Sequence, residues 1–371
     1  MKKVFEEAKH LLQSNGRFAI ATVVETRGST PQKPGAKLLV REDGHGIGTL
    51  GGGCVEGDIW FAAKEMLLDK APPQKKDYLL NEDIAAREGL VCGGTMTFYI
   101  EQISNDNSFG SFVNDIVSAY NGSEPVALAT ITNSKGSREF IGSKMLIRHD
   151  KSTTGTLGTK ALDLHALQLS EEVMSMGRNL HVATDTGEEL FIEGYTSPPT
   201  IVLMGGGHIA KSIASLAEHL QYRLFVMDDR AEFSNNSRFP YATDTRVSSY
   251  DTGLESFPIA ENTAIIIATR GHYFDDVALE SALKTKAKYI GLVGSKRKTI
   301  LIYKELLKKK ISPETLKKVY APIGLDIGAI TPEEIAVSIM AQVVQFYMGG
   351  SGKALTMEEK RIEKFATAAT I

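Results

Sequence analysis

Thr200-Ile201-Val202-Leu203-Met204-Gly205-Gly206-Gly207-His208-Ile209-Ala210 sets five apolar or β-branched residues directly ahead of three glycines and a helix-like run. The first five read as a buried strand, and beyond the glycines Ile209, Ile213, Leu216, Ala217 and Leu220 share one face at helical spacing. Leu224 to Met227 reads as a second strand, ending in Asp228-Asp229-Arg230. This is G-x-G-x-x-A in its proper setting of strand, turn and helix, with an acid near the usual distance beyond. Such glycines let a pyrophosphate approach the helix N-terminus, and Asp228 could bond a ribose hydroxyl. The expectation is a Rossmann-like parallel sheet with Gly205, Gly207, His208 and Asp228 in nucleotide-binding positions. An α/β crossover without a nucleotide is the alternative, because fold does not fix ligand.

Downstream the same alternation continues. Ala264 to Ala268 is a strand followed by Thr269-Arg270-Gly271-His272-Tyr273-Phe274-Asp275-Asp276, and Tyr289 to Val293 is a strand followed by Gly294-Ser295-Lys296-Arg297-Lys298. Ligands of open parallel sheets bind beyond the carboxyl ends of the strands, so both loops should line one crevice with the glycine turn. There His272 and Asp275 could orient or protonate a substrate, while Ser295, Lys296 and Arg297 suit a phosphate. Taken singly, each is more often a solvated loop residue or a helix cap. Thr331-Pro332-Glu333-Glu334 reads as a capping box with proline at the first helical position, opening a helix apolar through Val344. Residues 350–371 read as a charged tail.

Upstream, Tyr195-Thr196-Ser197-Pro198-Pro199 reads as a stiff linker. The N-terminal region centres on Gly48-Thr49-Leu50-Gly51-Gly52-Gly53-Cys54-Val55-Glu56, between a strand-like and a helix-like run. Consecutive glycines allow positive φ, so several N–H groups of Gly51, Gly52 and Gly53 could converge on an anion. Cys54 and Glu56 follow at the first helical turn, where the helix dipole would lower a thiol pKa. A second cysteine, in Cys92-Gly93-Gly94-Thr95, again precedes glycines and a strand. A glycine-rich turn with a buried cysteine is the bland alternative for either.

The region also repeats itself. Ala21-Thr22, Gly28-Ser29, Gly35, Lys37, Leu39, Arg41, Asp43 and Gly48-Thr49-Leu50-Gly51 recur as Ala129-Thr130, Gly136-Ser137, Gly142, Lys144, Leu146, Arg148, Asp150 and Gly155-Thr156-Leu157-Gly158. Tyr99-Ile100-Glu101 returns as Phe191-Ile192-Glu193. Where the first copy has Gly52-Gly53-Cys54-Val55-Glu56, the second has Thr159-Lys160-Ala161-Leu162-Asp163, and it has no counterpart of Cys92-Gly93-Gly94. The framework recurs while the candidate chemistry does not. The fold class expected is α/β: an N-terminal α+β region with an internal pseudo-repeat, then a C-terminal Rossmann-like parallel sheet domain. The division expected is 1–105 with the glycine-cysteine site, 106–196 as a degenerate second repeat packing on it, 197–349 as the Rossmann-like domain, and 350–371 as the tail.

At 371 residues, with 42% apolar and 23% charged residues, the chain is an ordinary globular sequence. Its net charge of -3, with both signs interspersed, gives no field to draw nucleic acid. No apolar run reaches membrane-spanning length and the N-terminus lacks an apolar leader, so a cytoplasmic protein without a membrane partner is expected. Two cysteines are too few for a disulfide scaffold and are expected as thiols.

The motifs together resemble the XdhC/CoxI family, accessory proteins of xanthine dehydrogenase and related molybdenum hydroxylases. In the N-terminal region the resemblance rests on Gly28-Ser29-Thr30-Pro31, Gly48 to Glu56 and Cys92-Gly93-Gly94-Thr95. In the C-terminal domain it rests on Gly205-x-Gly207-His208, Thr269-x-x-His272-x-x-Asp275, Gly291-Leu292-Val293-Gly294-Ser295, and Pro322-Ile323-Gly324-Leu325-Asp326 ahead of Thr331. Arg270 departs from the pattern, since many relatives are expected to carry a second histidine there. The resemblance implies a chaperone that binds the molybdenum cofactor, as molybdopterin or its dinucleotide, protects it during sulfuration and hands it to an apo xanthine dehydrogenase-type hydroxylase. It also implies a cysteine desulfurase-type sulfur donor as partner, and a homodimer is expected. On this reading Cys54 and Cys92 contact the molybdenum or relay sulfur, Glu56 orients the site, Gly93 and Gly94 join the glycine cradle, and the Gly205 loop with Asp228 holds the phosphate or nucleotide end. Two other functions fit parts of the pattern. One is an NAD(P)-dependent oxidoreductase with His272 as acid/base, the other a sulfurtransferase-like enzyme with Cys54 as nucleophile.

Overall fold

The structure is a computed structural model; it describes residues 1–80, 94–104, 109–135 and 138–357, with the backbone alone at 272 and 273. The chain divides into two compact units, Met1–Ser197 and Pro198–Ile371.

In the first unit α1 (Lys2–Gln13) buries Val4, Phe5, Ala8, Leu11 and Leu12, the face its helical spacing predicts. β1 (Phe18–Arg27), β2 (Lys37–Arg41), β3 (Gly46–Gly48), α2 (Gly53–Asp69), β4 (Gln74–Leu79) and β5 (Thr95–Ile103) follow. The five strands form one antiparallel sheet in the order β3-β2-β1-β5-β4. Next come α3 (Phe109–Tyr120), β6 (Val126–Ser134), β7 (Lys144–Arg148), β8 (Thr153–Gly155), α4 (Lys160–Met176), β9 (Asn179–Ala183) and β10 (Glu188–Tyr195). Their sheet runs β8-β7-β6-β10-β9, the same order again. The internal repeat read in the sequence is therefore a repeat of topology, and it extends to register. Thr22 lies opposite Lys37 and Tyr99, and Thr130 opposite Lys144 and Phe191. Even the bulge recurs: the β1–β5 ladder skips Val24, and the β6–β10 ladder skips Thr132 at the matching place.

Alternation along the strands separates two faces. Ala19, Ala21 and Val23 pack with Ile59, Ala63 and Met66 of α2, and Ala127, Ala129 and Ile131 pack with Leu162, Ala166 and Val173 of α4. The opposite faces share one core, in which Phe18, Ile20 and Leu39 of the first copy meet Leu128 and Leu146 of the second, with Phe5 from α1 and Phe112 and Ile116 from α3. Each repeat covers the other's exposed face.

The second unit holds β11 (Thr200–Met204), α5 (His208–His219), β12 (Arg223–Asp228), β13 (Asp244–Val247), β14 (Thr263–Ile267), α6 (His272–Ala282), β15 (Tyr289–Leu292), α7 (Lys296–Lys308), α8 (Pro313–Leu316), β16 (Val319–Tyr320) and α9 (Pro332–Met348). All six strands are parallel, in the order β13-β12-β11-β14-β15-β16. The order reverses direction beside β11, which places a topological switch point at the glycine turn. β11 and β14 are buried at every position, as a sheet covered on both faces requires. α9 opens with the expected capping box, Thr331 with Glu334, and Pro332 at its first turn. Among the described residues no helix is long and apolar enough to cross a membrane.

Candidate functional site

Three separated segments of the first unit meet around the start of α2. Gly51 has φ +113°, and a Cβ there would fall 2.5 Å from Pro31 Cβ, so the glycine turn presses against the Gly28–Pro31 loop. Gly94 is equally crowded: a Cβ on it would lie 2.5 Å from the carbonyl oxygens of both Arg27 and Ser29. Close backbone approach is the reason for glycine at both places. Cys54 lies in the first turn of α2 and is exposed. Cys92 and Gly93 lie outside the described residues.

The N–H groups of this turn converge on a carboxylate of the chain itself. Glu56 Oε2 accepts from Thr49 Oγ1 at 2.7 Å, Leu50 N at 2.6 Å and Gly52 N at 3.2 Å. Burial pushes the Glu56 carboxyl up, but these donors outweigh it and hold the group below its ordinary value. In the second repeat Asp163 accepts from Thr156 Oγ1 at 2.8 Å and Leu157 N at 2.7 Å. The carboxylate thus belongs to the shared framework that closes the turn. What sets the first copy apart is the residue pair ahead of it: Cys54 replaces Ala161, and Gly52 replaces Thr159, whose side chain caps α4 through Leu162 N.

In the second unit the expected loops do gather at the carboxyl edge of the sheet, but several of their charges are consumed internally. Asp228 is fully buried. Its Oδ2 accepts from Gly206 N at 2.9 Å, and Arg230 reaches it through N and Nε at 3.1 and 2.9 Å. Burial alone would raise its carboxyl, and Arg230 with Gly206 lowers it instead. Arg230 also lies 3.7 Å over the Phe233 ring, while Arg238 Nε donates to Gly206 O at 2.7 Å. A Cβ on Gly206 would run into the Phe233 carbonyl, so this glycine serves the chain's own packing. The ribose contact expected of Asp228 would require Arg230 to move aside. Gly205 N bonds Met227 O at 2.7 Å, whereas Gly207 faces open space and His208 is exposed at the start of α5.

Asp275 is likewise fully buried. It accepts from Thr269 Oγ1 at 2.6 Å and pairs with the Lys298 ammonium, tying the loop after β14 to α7. Burial raises its carboxyl despite both partners. Arg270, at the position where a histidine is expected, bonds Asp229 Oδ2 at 2.6 Å. Ser295 caps α7 by accepting from Lys298 N, and Lys296 and Arg297 beside it are exposed. The backbone of His272 begins α6; its side chain lies outside the described residues. Sequence reasoning misses Arg230 and Lys298 as the partners that settle these acids, and Arg238 as the side chain that holds the Gly206 carbonyl. Among the described residues no group of three or more His, Cys, Asp or Glu side chains could hold a metal ion.

Comparison with known proteins follows the same division. The model of the XdhC and CoxI family matches residues 11–78 and again 119–184, one match in each repeat, and the model of the XdhC Rossmann domain matches 201–343. The chain is 27% identical over 352 residues to a Bacillus subtilis protein described as a probable xanthine dehydrogenase subunit, covering 90% of this chain and 94% of that protein. It is 23% identical over 351 residues to the molybdenum cofactor insertion chaperone PaoD of Escherichia coli, covering 92% and 87%. A match at 32% identity over 236 residues to the Escherichia coli protein YqeB covers 60% of this chain and 43% of that protein, so the match spans less than half of that relative's length. A crystal structure described as a xanthine dehydrogenase from Bacillus halodurans shares the fold, with a TM-score of 0.65 at 23% identity over 95% of this chain and 98% of that one.

Proposed function

Because the chain belongs to the XdhC and CoxI family, we propose that it is an accessory protein of a molybdenum hydroxylase, binding the molybdenum cofactor as cargo, sheltering it during sulfuration and delivering it to the apoenzyme. The carrying observation is the meeting of the Gly28–Pro31 loop, the Gly51–Cys54 turn and Gly94 around an exposed thiol in one repeat and not the other. A thiolate at a helix N-terminus is a soft donor suited to a molybdenum-dithiolene group. Glu56 keeps the turn that presents it in shape. Cys92, brought close in sequence to Gly94, is the second thiol of this reading. In the other unit, the exposed Ser295, Lys296 and Arg297 and the open start of α5 at Gly207 and His208 offer contacts for a phosphate or nucleotide group. The buried state of Asp228 favours a phosphate contact there over recognition of NAD(P) ribose. The partners of this role are an apo xanthine dehydrogenase-type enzyme and a cysteine desulfurase-type sulfur donor, with the carrier acting as a homodimer.

The test is anaerobic binding of purified molybdenum cofactor to the wild type and to Cys54→Ser, scored by reconstitution of an apo-hydroxylase. Binding and transfer by the wild type, lost in the variant, is the expected result. A wild type that binds no cofactor, yet is protected from thermal unfolding by NAD(P)H, would replace the carrier with an oxidoreductase.

A further inference from the structure

A groove of about 410 Å³ opens between the two sheets of the first unit, within the size range of small-molecule sites. Its walls are equivalent strands of the two repeats. The ladders make Lys75 the counterpart of His181, Asp77 of Ala183 and Thr97 of Glu189. One end of the groove reaches Arg27 and Thr95, which adjoin Gly28 and Gly94 in the chain.

The two walls have diverged where the buried lysine, glutamate and threonine positions between the repeats have not, although other interior pairs differ, Tyr99 against Phe191 and Val24 against Thr132. Thr22 and Thr130, Lys37 and Lys144, and Glu101 and Glu193 are identical pairs. Every pair named above in the groove differs in charge or hydrogen-bonding type. Unlike walls suit a ligand without two-fold symmetry. The acceptor capacity is also one-sided. Glu189 is engaged by Lys75 at 2.5 Å and by Asn133 at 3.0 Å, and Glu25 by Arg27 at 2.9 Å. Asp77 is exposed and accepts from the buried Thr97 hydroxyl at 2.7 Å on Oδ1, while its Oδ2 has no hydrogen-bond partner among the described residues.

We propose that this groove binds the heterocyclic end of the cargo through Asp77, which accepts the paired N–H and NH₂ donors of a 2-amino-4-oxopyrimidine edge, with the exposed Arg27 donating to the neighbouring carbonyl oxygen. A carboxylate matches two adjacent N–H donors in a bidentate pair, and a guanidinium is donor only. That edge occurs in a pterin and in guanine alike. The assignment rests on the carrier reading only for the identity of the cargo.

The experiment is a fluorescence titration of the full chain with 6-hydroxymethylpterin, with GMP as competitor, for the wild type, Asp77→Asn and Arg27→Gln. Saturable pterin binding that weakens at least tenfold in both variants is expected. Both side chains are exposed, so folding survives. Competition by GMP at similar strength assigns the groove to the shared edge; its failure to compete assigns it to pterins. Absence of pterin binding, or equal binding by Asp77→Asn, overturns the proposal. Intact molybdenum cofactor bound equally by wild type and Asp77→Asn removes the groove assignment and leaves the carrier standing. Pterin binding without any binding of the intact cofactor does the reverse.

Discussion

Lys37 of the first repeat and Glu193 of the second form an ion pair 2.7 Å long between the two sheets, with side chains only 5% and 6% exposed. Lys37 Nζ also donates to Thr22 Oγ1 at 2.9 Å. The relation is reciprocal: Lys144 of the second repeat pairs with Glu101 of the first at 2.9 Å and donates to Thr130 Oγ1 at 3.1 Å. Each copy thus supplies a lysine to the other copy's glutamate inside their common core. Burial pushes the Lys37 ammonium below its ordinary value, and Glu193 opposes that shift. The repeats are held in register by these crossed pairs as well as by apolar packing.

Breaking one pair should be far worse than removing it. Glu193→Ala leaves Lys37 buried without its carboxylate and is expected to cost about 3–5 kcal/mol, while Lys37→Met with Glu193→Leu should recover most of that loss. Denaturant unfolding of Lys37→Met, Glu193→Leu and the two combined gives the coupling energy. Strictly additive effects would mean that the pair contributes nothing as a pair.

The turn carrying Cys54 should loosen in acid. Burial raises the Glu56 carboxyl, yet Thr49 and the Leu50, Gly52 and Gly51 amides lower it below 4.5 overall. A carboxyl lowered in the folded state stabilises above its unfolded value and loses that contribution as pH falls through the folded value. Glu56→Gln is therefore expected to cost about 1–2 kcal/mol at neutral pH, the scale of hydrogen bonds to a charged group. The deficit should shrink in unfolding measurements carried below pH 4.5. A deficit independent of pH would show that the carboxylate charge is not what the turn uses.

The sequence carries the architecture further than the chemistry. β11, α5 and β12 are legible because apolar runs, glycines and an acid sit at spacings that few other folds use. The repeat is legible because glycine, threonine and lysine positions recur in order. β4 and β9 escape a reading from sequence: Gln-Lys-Lys-Asp-Tyr-Leu and Asn-Leu-His-Val-Ala lie at sheet edges, half-exposed, so hydrophobic alternation is faint. β13 and β16, at the edges of the parallel sheet, are simply short. Glu56 reads as a site carboxylate, although Asp163 stands at the same place in a copy without cysteines, and that match marks the acid as framework. The burial of Asp228 has no such signal, since the direction of Arg230 two residues away is fixed only by Phe233 and the folded loop.

Neighbouring glycines of the Cys54 turn should differ sharply. Gly51→Ala would place a Cβ 2.5 Å from Pro31 in addition to its φ of +113°, whereas Gly52, at φ +76°, has nothing within 4 Å. Gly52→Ala is expected to cost about 1 kcal/mol from backbone strain alone, and Gly51→Ala about 2–3 kcal/mol. Thermal unfolding of the two variants ranks them; equal losses would mean that Pro31 yields freely and does not brace the turn.

The Lys298–Asp275 pair should respond to pH in the opposite sense from Glu56. Asp275 is fully buried and its carboxyl is raised by that burial, while the Lys298 side chain is 26% exposed. A raised carboxyl lowers stability where it is ionised in the fold, and that cost disappears as pH falls to its unfolded value and the folded form takes up a proton first. Lys298→Met strands the carboxylate and is expected to cost about 3 kcal/mol at neutral pH. The loss should narrow as pH is lowered towards 3.8, because protonated Asp275 needs no cation. Asp275→Asn removes the buried charge and lets Lys298 turn to solvent, so it should be milder than Lys298→Met at neutral pH. Unfolding curves for the two variants at neutral and acid pH decide the matter, and a Lys298→Met deficit that grows in acid would contradict the assignment of the buried charge to Asp275.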